Sequence, residues 1–380
     1  RSLILCSQII EIKTAVNQDI HLLYVDLQKA YDSIPLNKLW TTLEQTNINN
    51  GLIKAVKKLY TNSTTKVKVG KTITEGFNIT KGLKQGCCIS PTLFKIYLEQ
   101  ALKVWKKKCN GMGIPLNDNT TLFTLCFADD QVIIAQDHED LSYMTRKLIE
   151  EYTKWGLEVN VTKTECMCIR GTQQDIDLED GRKIKHCEEY KYLGLKITHN
   201  GTLDTAIKNR NTQGRKAISM MNGILWDQSI SKSNKQLIYN TILKSIVTYS
   251  SEVWPMKLNT EKMLLTTEMD FWRRSAGISR RDRIRNDRIR EIMGVRQTTI
   301  IDDIKTKQLK WYGHVQRMEE DRLPKQVLKW TPHGRRRRGR PRRSWREGID
   351  KEMEEREIPV DLWRDREGWR LGVGRRRRTL

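Results

Sequence analysis

The apolar positions of the first 200 residues change period several times. In residues 3–16, Leu5, Ile9, Ile12 and Val16 fall on one face of a helix. His21 to Asp26 (HLLYVD) is a continuous apolar run ending in a carboxylate, the pattern of a short buried strand. Two amphipathic helices are predicted over about 36–48 and 51–62, then a hairpin from Lys66–Gly70 and Ile73–Ile79. Ser90-Pro91 predicts the start of a helix reaching Lys108, with Ser90 as N-cap and Pro91 at N1, where its missing N–H costs nothing. Leu122–Phe127 and Val132–Ala135 are apolar strands flanking Asp129-Asp130, the spacing of a tight hairpin. Asp137 caps a helix to Trp155 that Gly156 closes. Strand-like segments follow at 164–170 and 190–198, and from about 203 the pattern is helical. This order predicts an α+β fold up to residue 200, an antiparallel sheet backed by helices.

Beyond Pro255 the composition shifts. Arg280–Arg290 (RRDRIRNDRIR) predicts a charge-laced helix. Residues 331–346 (TPHGRRRRGRPRRSWR) hold little to bury and predict an extended linker, and Arg375–Arg378 form a second Arg run. The domains expected are residues 1–202, 203–255, 256–330 and an Arg-rich tail, 331–380.

Charge sharpens the picture. The 380 residues carry a net +23. Residues 1–200 hold 27 basic and 23 acidic side chains, residues 201–380 hold 42 and 23, so the second half carries nearly all the excess. So lopsided a field predicts a polyanionic partner, nucleic acid first, with an acidic membrane surface as the competing reading. No apolar run approaches the ~20 residues that span a bilayer. The eight cysteines form no CxxC pair and none follows Cys187, which argues against a disulfide framework and a cysteine-based zinc site in the basic half.

The chemistry-bearing residues are Asp26 at a strand end and Asp129-Asp130 at a turn tip. If the two strands are neighbours, three carboxylates converge in one small volume, and carboxylates that close repel unless cations sit between them. Two Mg²⁺ ions ~3.5–4 Å apart would resolve the repulsion and clamp the attacking and leaving oxygens of a phosphoryl transfer. Taken alone, each site reads equally as a solvated strand end or a plain turn.

Read in series, five segments resemble the motifs of reverse transcriptases. Asp26-Leu27-Gln28-Lys29-Ala30-Tyr31-Asp32 resembles motif A and Gln85-Gly86-Cys87-Cys88-Ile89-Ser90-Pro91 motif B. Phe127-Ala128-Asp129-Asp130 resembles motif C. Trp155-Gly156-Leu157 with Asn160, Lys163 and Thr164 resembles motif D, and Tyr192-Leu193-Gly194 motif E. The 103 residues from Asp26 to Asp129 resemble the non-LTR retrotransposon branch, and the tail KWYGHVQRM…GRRRRGRPRRSW suggests an RTE-type endonuclease–reverse transcriptase.

The resemblance implies a polymerase right-hand palm with partial fingers, a helical thumb over 203–255 and a basic helical or irregular C-terminal region. It implies an RNA-directed DNA polymerase with Asp26 and Asp129 as principal metal ligands, Asp130 accessory, and two Mg²⁺. Tyr31 would lie under the sugar and select dNTP; Gln85 and Gly86 would line the template–nucleotide pocket, Gly86 permitting close backbone approach. Asp32 would serve structure or that pocket rather than metal. Lys163 is a candidate cation at the pyrophosphate, or else a solvated lysine. Tyr192, Leu193 and Gly194 would form the primer grip, or else an ordinary strand. Lys208, Arg210, Arg215 and Lys216 would contact phosphates of an RNA–DNA duplex, or else form a solvated helix face.

Arg338-Gly339-Arg340-Pro341-Arg342 resembles an AT-hook, whose Arg side chains enter an A·T minor groove. A nuclear import signal and a non-specific tether are the other readings. The implied partners are an RNA template, a DNA primer or target and dNTP, with no membrane. The implied location is the nucleus after a cytoplasmic ribonucleoprotein stage. Members of the family carry an endonuclease and further fingers elements upstream of where this chain begins, so an N-terminally truncated copy is expected. Two readings compete: a non-catalytic nucleic-acid-binding remnant using the basic half, and an RNA-copying viral polymerase, against which Tyr31 argues.

Overall fold

A computed structural model describes residues 2–61, 63–295, 298–332, 334 and 344–374. The chain divides into two units: Asp19–Glu188 with Ser2, and Leu3–Gln18 with the residues from Glu189 onward.

The first unit is built on six strands: β1 (Ile20–Val25), β2 (Thr124–Phe127), β3 (Asp130–Ala135), β4 (Glu165–Ile169), β5 (Ile176–Asp177) and β6 (Lys183–His186), in the order β5-β6-β4-β1-β3-β2. The pairings are antiparallel except β4 with β6, which is parallel at Glu165↔Lys185 and Cys166↔His186. The antiparallel sheet expected from sequence is present and carries one parallel pair toward its edge. β1 is central and buried on both faces, which is why Leu22, Leu23, Tyr24 and Val25 run without polar alternation. β3, with Val132 to Ala135 fully buried, is its neighbour.

Four helices accompany the sheet: α1 (Leu36–Glu44), α2 (Asn50–Tyr60), α3 (Ser90–Lys108) and α4 (His138–Lys154). α4 packs on β1 and β3, and α3 packs on α4. Asp137 caps α4 through Asp140 N–H at 2.8 Å, and Gly156 follows it at φ +72°. The buried Trp105 of α3 donates its Nε1–H to Met144 O of α4 at 2.9 Å. Ser90 is the first residue of α3, after Ile89 in the capping position, and does not act as the expected N-cap. Its hydroxyl instead donates to Lys84 O at 2.7 Å, fastening the preceding loop. The expected hairpin at 66–79 is present as short paired strands, Thr64–Thr65 with Phe77–Asn78 and Lys68–Val69 with Thr72–Ile73.

The second unit is largely helical. Residues 190–198, read as one strand, are a hairpin of β7 (Glu189–Tyr192) and β8 (Leu195–Thr198) around Leu193 at φ +45° and Gly194 at φ +79°. Then come α5 (Asp204–Met220), α6 (Leu258–Ser275), α7 (Ile300–Gln316) and α8 (Trp345–Glu355), with shorter helices between. Gly214 lets α5 approach the helix Lys244–Val247: an added Cβ would lie 2.4 Å from Val247 Cγ2. Arg280–Arg290 is not the continuous helix expected. A short turn ends at Arg283, φ +51°, and a separate helix begins at Asn286. A left-handed residue cannot continue an α-helix.

Residues 344–374, expected as part of an Arg-rich tail, fold. Ser344 caps α8 in a reciprocal box with Glu347, and Trp345, Ile349, Met353 and Trp369 bury against Leu309 and Tyr312 of α7. The linker reading of 331–346 underweighted Trp345, and the Arg-rich tail reading of 331–380 underweighted Trp369; a buried tryptophan covers roughly 150–250 Å². Arg338, Arg340, Arg342 and Arg375–Arg378 lie outside the described residues.

The helix Ser2–Ala15 is buried all round through Ile10 rather than on one face, with Ser7 and Gln8 enclosed as well. Its Glu11 accepts the Trp345 N–H at 2.6 Å. Burial pushes the Glu11 carboxyl from an ordinary 4.5 up to about 7, the Trp345 N–H opposing the rise and the Glu347 charge adding to it. A carboxyl raised in the folded state contributes stability that is full below 4.5 and is lost as pH climbs through about 7. Glu11→Gln is therefore expected to melt ~2–6 °C above the unsubstituted chain at pH 8 and level with it at pH 4. Thermal melts at the two pH values check this; an equal shift at both would refute it.

Candidate active site

The antiparallel ladder between β1 and β3 pairs Tyr24 with Val132 and Val25 with Gln131. Carried one residue further, the register sets Asp26 opposite Asp130. Directly opposed residues share a sheet face, so both carboxylates leave the same side. β2 and β3 pair as far as Phe127↔Asp130, leaving only Ala128 and Asp129 in the turn. Ala128 sits at φ +53°, the left-handed region that favours glycine. The turn is tighter than the four-residue hairpin expected, because Asp130 is already strand.

The half-buried Asp26 is held by its backbone. Its N–H donates to Thr164 Oγ1 at 3.2 Å, and its carbonyl accepts from Asn160 N–H at 2.8 Å. Leu27 bridges Val159, and Gln28 N–H reaches Glu158 O at 2.8 Å. The segment after α4 thus ladders against the segment after β1. Thr164 is fully buried, and sequence reasoning gave it no role of its own. Beneath the turn, buried Gln131 accepts from Tyr152 Oη at 2.5 Å and donates to Thr124 Oγ1 at 3.1 Å, tying α4 to β3 and β2. Sequence missed these positioning residues; the signal was a lone Gln opening an otherwise apolar strand.

The carboxylates of Asp26, Asp129 and Asp130 have no hydrogen-bond or ion-pair partner among the described residues. Asp130 is raised above the ordinary range, by desolvation first and then by the charges of Asp129 and Asp26. Asp130 therefore senses the other two as like charges. Among the described residues no three His, Cys, Asp or Glu side chains gather closely enough to enclose a metal. Asp129 stands exposed at the tip of the turn. This donor set fits Mg²⁺ in its usual style, one or two carboxylates with the remaining positions left to water and substrate phosphate.

Tyr31 stacks on Phe94, ring centroids 4.7 Å apart and 10° from parallel. Its hydroxyl is raised by desolvation and by the charge of Asp129, so the ring lies near the acidic turn. Gln85 Nε2 donates to Asp32 Oδ1 at 3.1 Å, which ties the loop before α3 to the segment after β1. Leu83 N–H donates to Tyr31 O and Gly82 N–H to Ile34 O, both at 2.8 Å. Gly86 is at φ +84° with open space where a Cβ would stand, so conformation demands glycine there while its outer face stays free. Lys163 is exposed, with no ammonium partner among the described residues.

The remaining candidates belong to the second unit. Arg210, expected on phosphates, is engaged within the protein. It donates to Gly194 O, lies 4.2 Å over the Tyr249 ring, and Tyr249 Oη donates to Leu193 O at 2.8 Å. Arg210 and Tyr249 thus brace the Tyr192-Leu193-Gly194 turn, and Tyr192 itself is buried. Lys208, Arg215 and Lys216 are exposed on α5.

Residues 3–197 match the family described as reverse transcriptase (RNA-dependent DNA polymerase). A transposon-derived protein of Caenorhabditis elegans is 29% identical over 284 residues, covering 68% of this chain and 97% of that protein. The Pol polyprotein of the type-2 retrotransposable element R2DM of Drosophila melanogaster is 24% identical, over 47% of this chain and 17% of its own length. The RNA-directed DNA polymerase from the mobile element jockey of Drosophila funebris is 23% identical, over 48% of this chain and 20% of its own. The chain thus spans about a fifth or less of the last two. Telomerase from Candida tropicalis, solved with a fragment of telomeric RNA, is similar over 87% of this chain and 51% of that one at 14% identity, TM-score 0.41.

Removing one member of the carboxylate cluster should relax the others. Asp26→Asn is expected to lower the Asp130 carboxyl, read as the midpoint of its ¹³C carboxyl NMR titration. A midpoint that does not move would refute the adjacency.

Proposed function

The chain belongs to the reverse transcriptase (RNA-dependent DNA polymerase) family, and we propose that Asp26, Asp129 and Asp130 direct the copying of an RNA template into DNA with two Mg²⁺. The observation that carries this reading is the β1–β3 register, which sets Asp26 against Asp130 with Asp129 at the adjoining turn.

The reaction forms one P–O bond and breaks another. The primer 3′-oxygen attacks the α-phosphorus of a dNTP, its proton is lost, and pyrophosphate leaves. Magnesium held by these carboxylates would polarise the phosphate and ease ionisation of the 3′-hydroxyl. The protein's part is to hold that charge at the rim of a rigid sheet. The Thr164 and Asn160 contacts fix Asp26, and the Gln131 network fixes the turn. Mutual repulsion makes the unfilled cluster costly and cation binding correspondingly favourable. Tyr31, braced by Phe94, would lie under the sugar and crowd a 2′-hydroxyl. Gln85, oriented by Asp32, and the open face of Gly86 would line the nucleotide pocket. Lys163 is free to meet the departing pyrophosphate. The braced Tyr192-Leu193-Gly194 turn would hold the primer end, and residues 203–255 would act as the thumb.

The R2 and jockey relatives support a non-LTR retrotransposon origin; the narrower RTE-type assignment rests on the tail residues. The primer would then be a nicked chromosomal strand, and the work nuclear after a cytoplasmic ribonucleoprotein stage.

Extension of oligo(dT) on poly(rA) with Mg²⁺ tests the reading. Asp26→Ala and Asp129→Ala should each reduce extension by ~10³-fold or more, with duplex binding retained. Binding without extension by the unsubstituted chain would favour the non-catalytic remnant. Tyr31→Ala should raise ribonucleotide incorporation relative to dNTP by ~10-fold or more. Unchanged discrimination would remove Tyr31 from the sugar pocket.

A further inference from the structure

The second unit holds a cleft of about 340 Å³ that shares Arg215 and Trp226 with the expected thumb and is otherwise lined by residues given no role above. Arg215 of α5, Trp226, the α6 residues Asp270, Arg273 and Arg274, and Arg280 beyond α6 line it. Four guanidinium groups face one carboxylate. Asp270 pairs with Arg274 at 3.2 Å and stands 3.8 Å from Arg280, so the cleft keeps a surplus of about three positive charges.

The Arg273 guanidinium is split in its duties. Nη2 donates to Ile284 O and to Asn286 Oδ1, the latter at 3.0 Å, whereas Nη1 is buried with no acceptor. A buried donor without a partner is costly to leave unmade, which marks this guanidinium as incompletely satisfied from within the protein. Arg274 is oriented by Asn222 as well as by Asp270, so two of the four forks are pre-set. Arg215 is exposed with no partner among the described residues, and the Arg280 side chain is 68% exposed. Fixed forks suit the planar oxygens of a phosphodiester.

Trp226 adds what a simple anion site lacks. The residue is 38% exposed and lines the same cleft, at the end of a five-residue helix. An exposed aromatic among arginines fits a base stacked on a ring while its phosphates meet guanidinium groups. A duplex keeps its bases stacked on one another and offers no free face. The cleft volume is that of a nucleotide-sized ligand.

We propose that this Arg215–Trp226–Arg273–Arg280 cleft is a binding site for single-stranded nucleic acid, gripping the phosphodiester chain and stacking one unpaired base on Trp226. The site is independent of the carboxylate cluster and does not rest on polymerase activity.

The test is fluorescence anisotropy of the full chain with 5′-labelled rU₁₂, dT₁₂ and a 12-base-pair duplex across a salt series. Arg215→Gln/Arg280→Gln removes two solvent-facing arginines. Lys232→Gln/Lys262→Gln removes the same charge from exposed positions elsewhere in the unit. The arginine pair should weaken single-strand binding ~10-fold or more and reduce the slope of log K against log salt by ~1.4, the value for two lost phosphate contacts. The lysine pair should stay within ~2-fold. Trp226→Leu should weaken single strands ~5-fold or more and the duplex far less. Equal losses from both charge pairs would reduce the cleft to general basicity and overturn the proposal, as would equal losses of single strand and duplex in Trp226→Leu. Unequal effects on rU₁₂ and dT₁₂ would say which strand the site prefers. Primer extension by the same variants is read separately, so a failed cleft and a failed polymerase are told apart.

Discussion

The arrangement of the candidate site depends on one hydrogen-bonded ladder, the antiparallel pairing of β1 with β3. It joins segments far apart in sequence and fixes which carboxylate faces which. Val25↔Gln131 is its last pair, and the acids stand just past that pair, where the sheet ends. Strand ends suit this role because their positions are set by the buried strands behind them. Here those strands are Leu22 to Val25 and Val132 to Ala135, all enclosed. Apolar burial thus supplies the rigidity, and the polar rim supplies the chemistry.

Two polar devices transmit that rigidity to the rim. On one side Thr164 and Asn160 hold the backbone of Asp26. On the other, Tyr152, Gln131 and Thr124 form a buried chain of hydrogen bonds under the hairpin. Each member of that chain is satisfied by its neighbours, the condition under which a buried polar network orders a core. The second unit uses the same logic at the Leu193-Gly194 turn, where Arg210 and Tyr249 each bond one turn carbonyl.

Much of this was legible in the sequence where the signal was local. The run His21–Asp26, the Asp137 cap, the Gly156 stop and the Asp129-Asp130 turn state their structure in a few adjacent residues. What was not legible depended on partners distant in the chain. Nothing around Arg210 says that its guanidinium bonds a turn carbonyl. Nothing around Thr164 says that its hydroxyl meets Asp26. The helix at Ser2–Ala15 buries Leu5 through Ile10 in an unbroken run, so face-counting understated its burial. At Arg280–Arg290 a uniform charge pattern hid a left-handed residue at Arg283. Around Trp345 and Trp369 a basic composition masked two large anchors.

The turn at Ala128 carries a further implication. A residue with a Cβ is kept in left-handed backbone, at a cost of about 1–2 kcal/mol, in a loop only two residues long. There is no slack to absorb an insertion or deletion. Because side chains alternate between sheet faces, a slip of one position would turn Asp130 to the opposite side from Asp26. Selection at this hairpin therefore bears on spacing as strongly as on residue identity, and a single-codon indel would silence the pairing of acids while leaving every acid in place.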